Sequence, residues 1–323
     1  MNISEYLRGI LAAVAVLAGA VAHAEIKVGV SDWTGWVAWY VAQDQGYFRK
    51  YGADVKLVWF ANYSDSIAAL STGQLDANSQ TWSDTLGPLA KGLPLKAILV
   101  NDNSAGNDAL MVGPKVRGFD DLRGRTVALE QYSVSHFVLY TALERNGLTP
   151  RDVRIVNLSA GDAAAAFMSG RVDAAVVWNP WISQIQKSGQ GRALFTSAQM
   201  PGLIPDLLVA QSRAIQAQRK QFVAMVRAWF DTEAFIRSNP DRAVAIMAKV
   251  VGMDREQYRV FLPGTRFFDA AANRDAFDPH SERGLVRVAP AIATFLLSNK
   301  LIDGQPKAAQ GVDNSILEAA LQP

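Results

Sequence analysis

Residues 55–77, VKLVWFANYSDSIAALSTGQLDA, return further along the chain as 153–174, VRIVNLSAGDAAAAFMSGRVDA. Val55 matches Val153, Asp65 matches Asp162, Gly73 matches Gly170, and Asp76-Ala77 match Asp173-Ala174, with one residue lost between the copies. Each copy reads as a strand, a loop, a helix of small residues closed by glycine at its C-terminal cap, and an Asp-Ala entering the next strand. Two copies of such a unit imply two lobes built to one plan. The alternation around them fits: strands are predicted at 26–31, 55–60, 75–80 and 95–101, with helices starting near Gly35, Tyr63 and Trp82. Strand-helix-strand alternation implies parallel pairing with right-handed crossovers.

The chain is expected to cross into the second lobe near 109–116 and to return through 204–211. That assigns 25–112 and 209–323 to lobe 1 and 113–208 to lobe 2. From Arg213 onward the pattern is helical, with apolar residues at three and four spacing over 217–239 and a second helix over 241–252 closed by glycine. These helices are expected to buttress lobe 1. At the start, Arg8, an apolar run from Gly9 to Val21 and then Ala22-His23-Ala24 read as an export signal, residues 1–24. The run is too short to span a bilayer. The expected location is therefore a Gram-negative periplasm.

Formal net charge is +2 with no cysteine, which leaves no footprint for nucleic acid or an anionic membrane and rules out disulfides and thiolate metal sites. Only three histidines occur. No nucleophile elbow, phosphate loop or metal-spaced cluster is present, so no catalytic residue, metal or cofactor is expected.

A binding site can be assembled instead. In open α/β sheets ligands bind beyond the carboxyl ends of strands. In this chain those ends carry Asp32, Trp33 and Trp36; Ser79, Gln80, Thr81, Trp82 and Asp84; Asp102; Glu130 and Ser133; Trp178 and Asn179; and Asp206 on the return crossing. None of these segments contains lysine or arginine. An anion would rest on hydroxyls and helix-start N–H groups, with Thr34, Ser79, Thr81, Ser133 and Ser135 available. A planar cation would take carboxylates and aromatic faces. Both stay open on these residues.

Some of the same residues have structural uses. Trp39 falls one turn beyond Trp36 on an apolar helical face and is assigned to the core, as are Trp59 and Trp229. Trp33, Trp36, Trp82, Trp178 and Trp181 stand at loop–helix junctions, where packing and site lining are equally open. Asp76 and Asp173 recur at strand starts and are assigned to turns. Asp84 and Glu130 can also serve as first-turn carboxylates that stabilise their own helices.

Several phrases carry a family resemblance: IKVGVSDW, YVAQDQGYFRKYGADVKLVWF, ALSTGQLDANSQT, FDDLRGRTVAL and VNLSAGDAAAAFMSGRVDAAVVWNPW. With them the chain resembles the periplasmic substrate-binding proteins of the nitrate/taurine/aliphatic-sulfonate group of ABC importers. The resemblance implies a bilobed periplasmic-binding-protein fold, two parallel-sheet α/β lobes joined by a hinge. It also implies a monomer that carries a small nutrient to a membrane permease and its ATPase, with Trp33, Ser79, Gln80, Thr81, Ser133, Trp178 and Asn179 as contacts by position. The load of acidic and amide groups departs from sulfonate binders and looks more like a branch serving small nitrogen-rich cations such as guanidine. An enzyme of the pyrimidine-precursor-synthase type would need a reactive lysine near the cleft, and no predicted strand end supplies one. A periplasmic sensor partner is the third reading.

Overall fold

The structure, a computed structural model, describes residues 25–322; the expected export signal, 1–24, lies outside the described residues. The strands are β1 (Ile26–Val30), β2 (Val55–Trp59), β3 (Ala77–Thr81), β4 (Leu95–Ser104), β5 (Asp108–Val112), β6 (Thr126–Leu129), β7 (Arg154–Asn157), β8 (Ala174–Trp178), β9 (Arg192–Thr196), β10 (Pro205–Gln211) and β11 (Thr265–Phe267). They form two sheets, ordered β11-β4-β10-β3-β1-β2 and β7-β6-β8-β5-β9. With β11 set aside, the two orders are the same, with β1, β2 and β3 standing where β6, β7 and β8 stand in the other sheet. The duplicated sequence has become a duplicated topology.

The bilobed α/β class holds, but the sheets are mixed rather than parallel. β1 pairs in parallel with β2 and β3, and β6 does so with β7 and β8. β10 runs antiparallel between β3 and β4, and β5 runs antiparallel between β8 and β9. The reason is connectivity: β5 and β10 are the strands by which the chain arrives from the opposite lobe, so each enters its sheet at the cleft edge where the parallel strands end. Asp108 at the start of β5 therefore sits opposite Trp178 at the end of β8. Asp206 near the start of β10 sits opposite Thr81 at the end of β3. Sheet membership puts the crossings at 105–107 and 197–204, a few residues ahead of the sequence division at 112 and 208.

The crossings are tied together. Ser104 Oγ and Ser197 Oγ lie 2.7 Å apart, and the Gly106 amide donates to Ser197 Oγ. Asn107 donates through Nδ2 to the Phe261 carbonyl and to Thr265 Oγ1 in lobe 1, and its Oδ1 accepts from Asn179 Nδ2 in lobe 2.

The repeated residues do the same work twice. Asp76 Oδ2 accepts from the Lys27 amide at 2.9 Å, and Asp173 Oδ2 accepts from the Thr126 amide at 3.0 Å, fixing the start of β3 to β1 and of β8 to β6. Helices Tyr63–Ser71 and Ala160–Met168 end alike: Gly73 and Gly170 have φ of 78° and 71°, and paired amides bond back to Leu70 and Ala69 in one copy and to Phe167 and Ala166 in the other.

The C-terminal helices pack on lobe 1, where Trp39 and Trp229 meet with ring centroids 4.9 Å apart, both fully buried. The long helix runs over Ser212–Ser238 with a break at Gln218, so the helix read from 217 is its second part. Trp59 is the exception among the packing tryptophans, being 40% exposed. It ends β2, the edge strand, where Tyr40, 6.4 Å away between ring centroids, covers it only in part.

The duplication allows a controlled test of backbone strain. A Cβ on Gly170 would meet nothing within 4 Å, whereas one on Gly73 would collide with the Arg213 guanidinium, which is hydrogen-bonded to the Gly73 carbonyl. Gly170→Ala is expected to cost only the left-handed strain, about 1–2 kcal/mol by chemical denaturation. Gly73→Ala is expected to cost the same strain plus the exposed Arg213 hydrogen bond that turning the guanidinium aside breaks, at most about 1 kcal/mol more, and a smaller loss than at Gly170 would contradict the role given to Arg213.

Candidate functional site

The short helix Thr34–Val37 begins where β1 ends, and it sets Trp33 and Trp36 with ring centroids 6.3 Å apart. Trp36 lies 4.9 Å from Tyr63, and Tyr63 meets Trp178 edge to face at 5.9 Å. These four rings wall a small cavity of about 10 Å³ between the lobes, room for about one water molecule, so the shut lobes must part to admit anything larger. Its polar lining is Thr81, Asp108 and Asp206, with Val134 and Ile204 completing the wall. No lysine or arginine is among the residues that line it.

Three carboxylates reach across the cleft from one lobe to the other. Asp32 accepts from Trp178 Nε1 at 2.8 Å and from Trp181 Nε1 at 2.9 Å, so both its oxygens are held by indoles of lobe 2. Asp84 Oδ2 accepts from Tyr63 Oη at 2.8 Å in its own lobe and from the Val134 amide at 3.1 Å across the cleft. Glu130 returns the link from lobe 2, its Oε1 accepting from the Ser64 amide at 2.8 Å and from Ser64 Oγ. Phe137 adds an apolar contact on Phe295, 5.0 Å between centroids. The lobes are shut, and carboxylates provide the polar part of the closure.

A second acidic group lies deeper. Asp102 and Asp206 are cross-strand neighbours on β4 and β10, both essentially fully buried. Asp102 Oδ1 accepts from Trp33 Nε1 at 3.0 Å, while Asp102 Oδ2 and Asp206 Oδ2 have no hydrogen-bond partner in the protein. Asp108 Oδ2 accepts from Ser104 Oγ. None of these acids, nor Asp32, Asp84 or Glu130, enters any ion pair among the described residues. Burial without a counter-charge disfavours the ionised form. It pushes Asp32 and Asp84 up to about 6, against the hydrogen bonds that oppose it. It pushes Asp108 to about 7 and Asp102 to about 8. Asp206 is raised well above the ordinary range by burial and then by the negative charge of Asp102 and Asp108.

Of the residues picked out in the sequence, the structure brings Trp33, Trp36, Thr81, Trp178 and Asp206 to the cavity wall and sets Asp102 directly behind it. Asp32, Asp84 and Glu130 stand at the lobe contact instead. Ser79 is buried in β3 with its hydroxyl unpartnered, away from the lining. Gln80 is spent inside lobe 1, donating to Thr85 Oγ1 and accepting from Asn78. Trp82 also belongs to packing: it is fully buried and donates to the Leu285 carbonyl of the C-terminal helix Leu285–Ser298. Ser133 caps helix Val134–Arg145 through the Ser135 amide, and Asn179 belongs to the crossing network with Asn107. Tyr63 and Asp108, with the apolar Val134 and Ile204, are the lining residues that sequence reasoning missed. Tyr63 opens the helix after β2, so the strand-end rule, applied to β2 as to its neighbours, reaches it. Asp108 needs the antiparallel course of β5 to be known. Among the described residues no cluster of acids and histidines could hold a metal, and no helix is long and apolar enough to cross a membrane.

The raised acids keep their protons to higher pH folded than unfolded, so the native state binds more protons between the ordinary 3.8 and about 8. Stability of the ligand-free protein is therefore expected to fall as pH rises through that window, with about 1.4 kcal/mol lost for every tenfold difference in proton affinity between the folded and unfolded acid. Tm scans from acid to alkaline buffer check the direction, and a rising Tm would contradict it. Asp32→Ala removes the acceptor of two indole N–H groups and is expected to open the cleft while the protein stays folded, enlarging the radius of gyration in solution scattering.

Comparison with known proteins gives this geometry its relatives. The chain is 26% identical over 237 residues to a protein of Brucella abortus (strain 2308) named as a putative binding protein, covering 71% of this chain and 72% of that one. It is 28% identical over 151 residues to the taurine-binding periplasmic protein of Escherichia coli (strain K12), covering 46% and 47%. Among solved structures, the alkanesulfonate-binding protein SsuA from Xanthomonas axonopodis pv. citri, bound to MOPS, matches with a TM-score of 0.77 at 19% identity, over 92% of this chain and all of that one. The desulfurization enzyme DSZB shares the fold at a TM-score of 0.66 and 16% identity, over 93% and 99%. The sulfonate and taurine group read from the sequence is thus the group that is found. The profile of the family described as NMT1/THI5 like matches residues 33–243, well over half of the chain, and the chain belongs to that family.

Proposed function

We propose that this chain is the periplasmic solute-binding subunit of an ABC importer, and that the solute caught between its lobes is a small planar cation of the guanidinium type. The first part is supported by the relatives, which are named as binding proteins and, in the taurine case, as periplasmic. Delivery to a permease and its ATPase at the inner membrane comes with that role.

The cation rests on one observation: three indoles, a phenol and two buried aspartates line a cavity that no basic side chain enters. A cation over an aromatic face gains about 0.5–2 kcal/mol, and a charge-assisted hydrogen bond about 1.5–3 kcal/mol. Two carboxylate contacts and two or three faces, less the cost of ordering, reach roughly micromolar affinity, about −8 kcal/mol. A sulfonate, the ligand in the names of several relatives, would find no basic side chain on the lining and, wherever Asp108 or Asp206 is ionised, a like charge. Of the hydroxyls suited to it, Thr81 Oγ1 caps helix Trp82–Ala90 through the Asp84 amide, while those of Thr34, Ser79 and Ser135 are unpartnered but belong to residues off the lining. Catalysis on this fold, where the desulfurization enzyme DSZB is a neighbour, would need a reactive group at the cavity. His136 is buried against Tyr140, where burial lowers it to about 4, and it does not line the cavity.

Titration calorimetry against guanidinium, urea, taurine, alkanesulfonates and nitrate tests the ligand. Guanidinium is expected to bind, and Asp206→Asn to weaken it by about a hundredfold through loss of a charge-assisted contact. A response to taurine or alkanesulfonates alone would overturn the cation reading and leave the transport role standing.

A further inference from the structure

We infer that the cleft exchanges a proton for its cation: the Asp102–Asp206 pair shares one proton when no ligand is bound and releases it to solvent as the cation seats. The inference rests on the cation reading above and adds to it a coupling that the reading does not require.

The geometry singles out this pair. Asp32 has two indoles on its oxygens, Asp84 the Tyr63 hydroxyl and the Val134 amide, and Asp108 the Ser104 hydroxyl; Glu130 also keeps Oε2 without a partner, but it stands against Ser64 at the lobe contact and is not paired across strands with another acid. Asp102 and Asp206 each keep one oxygen with no partner, side by side on neighbouring strands. Asp102 Oδ2 occupies the space a Cβ on Gly35 would take, so only glycine there leaves it room. Its other oxygen is tied to Trp33.

The surroundings offer no positive charge. Asp108 on β5 and Asp84 on helix Trp82–Ala90 bring further negative charge, and Tyr258 on helix Arg255–Arg259 brings a neutral phenol. Trp33 and Gly35 supply an indole N–H and bare backbone. On β11, Arg266 pairs with Asn103 but is exposed, its guanidinium stacked 5.6 Å over the Phe268 ring. Two adjacent buried carboxylates cannot both ionise cheaply, so one proton stays between them. Burial and mutual repulsion raise both acids in keeping with this. A monocation arriving against Asp206 supplies the missing charge. The carboxyl O–H bond then breaks, its electron pair stays on oxygen, and the proton passes to the buffer; no covalent bond to the ligand forms.

Calorimetry of guanidinium binding in phosphate and in Tris, whose ionisation heats differ, counts the protons released. Guanidinium stays charged throughout, as an arginine side chain does, so it is not the source. The wild-type protein is expected to release about one proton per ligand near neutrality, with affinity rising about tenfold per pH unit below the titration of the pair. Asp102→Asn keeps an acceptor for Trp33 but removes one of the two sharing acids, so guanidinium should still bind with clearly less proton release and a shallower pH profile, burial holding what proton remains on Asp206. Guanidinium binding by the wild-type protein with equal heats in both buffers would overturn the exchange while leaving the cation reading intact. Absence of any guanidinium binding would overturn the cation reading itself. The wild-type comparison needs no variant, so the exchange stands or falls on it even where Asp102→Asn folds poorly.

Discussion

Four aspartates are buried at the cleft with no basic partner: Asp108 and Asp206 line the small cavity, Asp102 lies behind it, and Asp84 sits at the lobe contact beside it. A fold keeps such a group only if its charge is met by hydrogen bonds, by a proton or by a ligand. The molecule uses the first at Asp84, where a phenol and an amide converge, and partly at Asp108. At Asp102 and Asp206 hydrogen bonds run out. Much of the surrounding structure follows from that shortage: Gly35 has no side chain because Asp102 lies against it, and the aromatic rings wall the space with faces that tolerate a cation.

The duplication explains how these groups come together. Parallel strands bring carboxyl ends to the cleft, and the two antiparallel crossing strands bring amino ends to the same edge. Asp206 faces Thr81 and Asp108 faces Trp178 through this arrangement, one from each crossing. The lobes then hold each other through acceptors of both origins, Asp32 and Asp84 on one side and Glu130 on the other. An acid at a strand end thus has two possible employments, closing the lobes or facing the cavity, and its hydrogen-bond partners tell which.

That distinction marks the limit of what the chain alone discloses. The repeat is legible because Gly73 and Gly170, and Asp76 and Asp173, perform identical local tasks that leave identical letters. Trp33, Trp36 and Trp178 are legible because position beyond a strand end is a property of local sequence. Trp82 looks equivalent but turns toward the C-terminal helix, a partner two hundred residues distant that no local pattern reveals. Gln80 and Asn179 are absorbed by neighbours in the same way. Asp32 reads as a ligand contact, yet both its oxygens are taken by indoles from the other lobe, a fact of closure rather than of sequence. Asp108 escapes a local reading because nothing in its own segment shows that the strand it opens runs against its neighbours. Trp59 reads as interior because the edge position of β2 depends on sheet order.

Closure, the paired acids and the aromatic walls all turn on the sign of the charge that belongs beside Asp206. A crystal structure of the protein grown with guanidinium and taurine present together decides that sign. Planar density is expected between the Trp33, Trp36 and Trp178 rings, within hydrogen-bond reach of Asp206 and Asp108. A tetrahedral sulfonate in that place, with the carboxylates turned away from it, would show that the cleft is built for an anion.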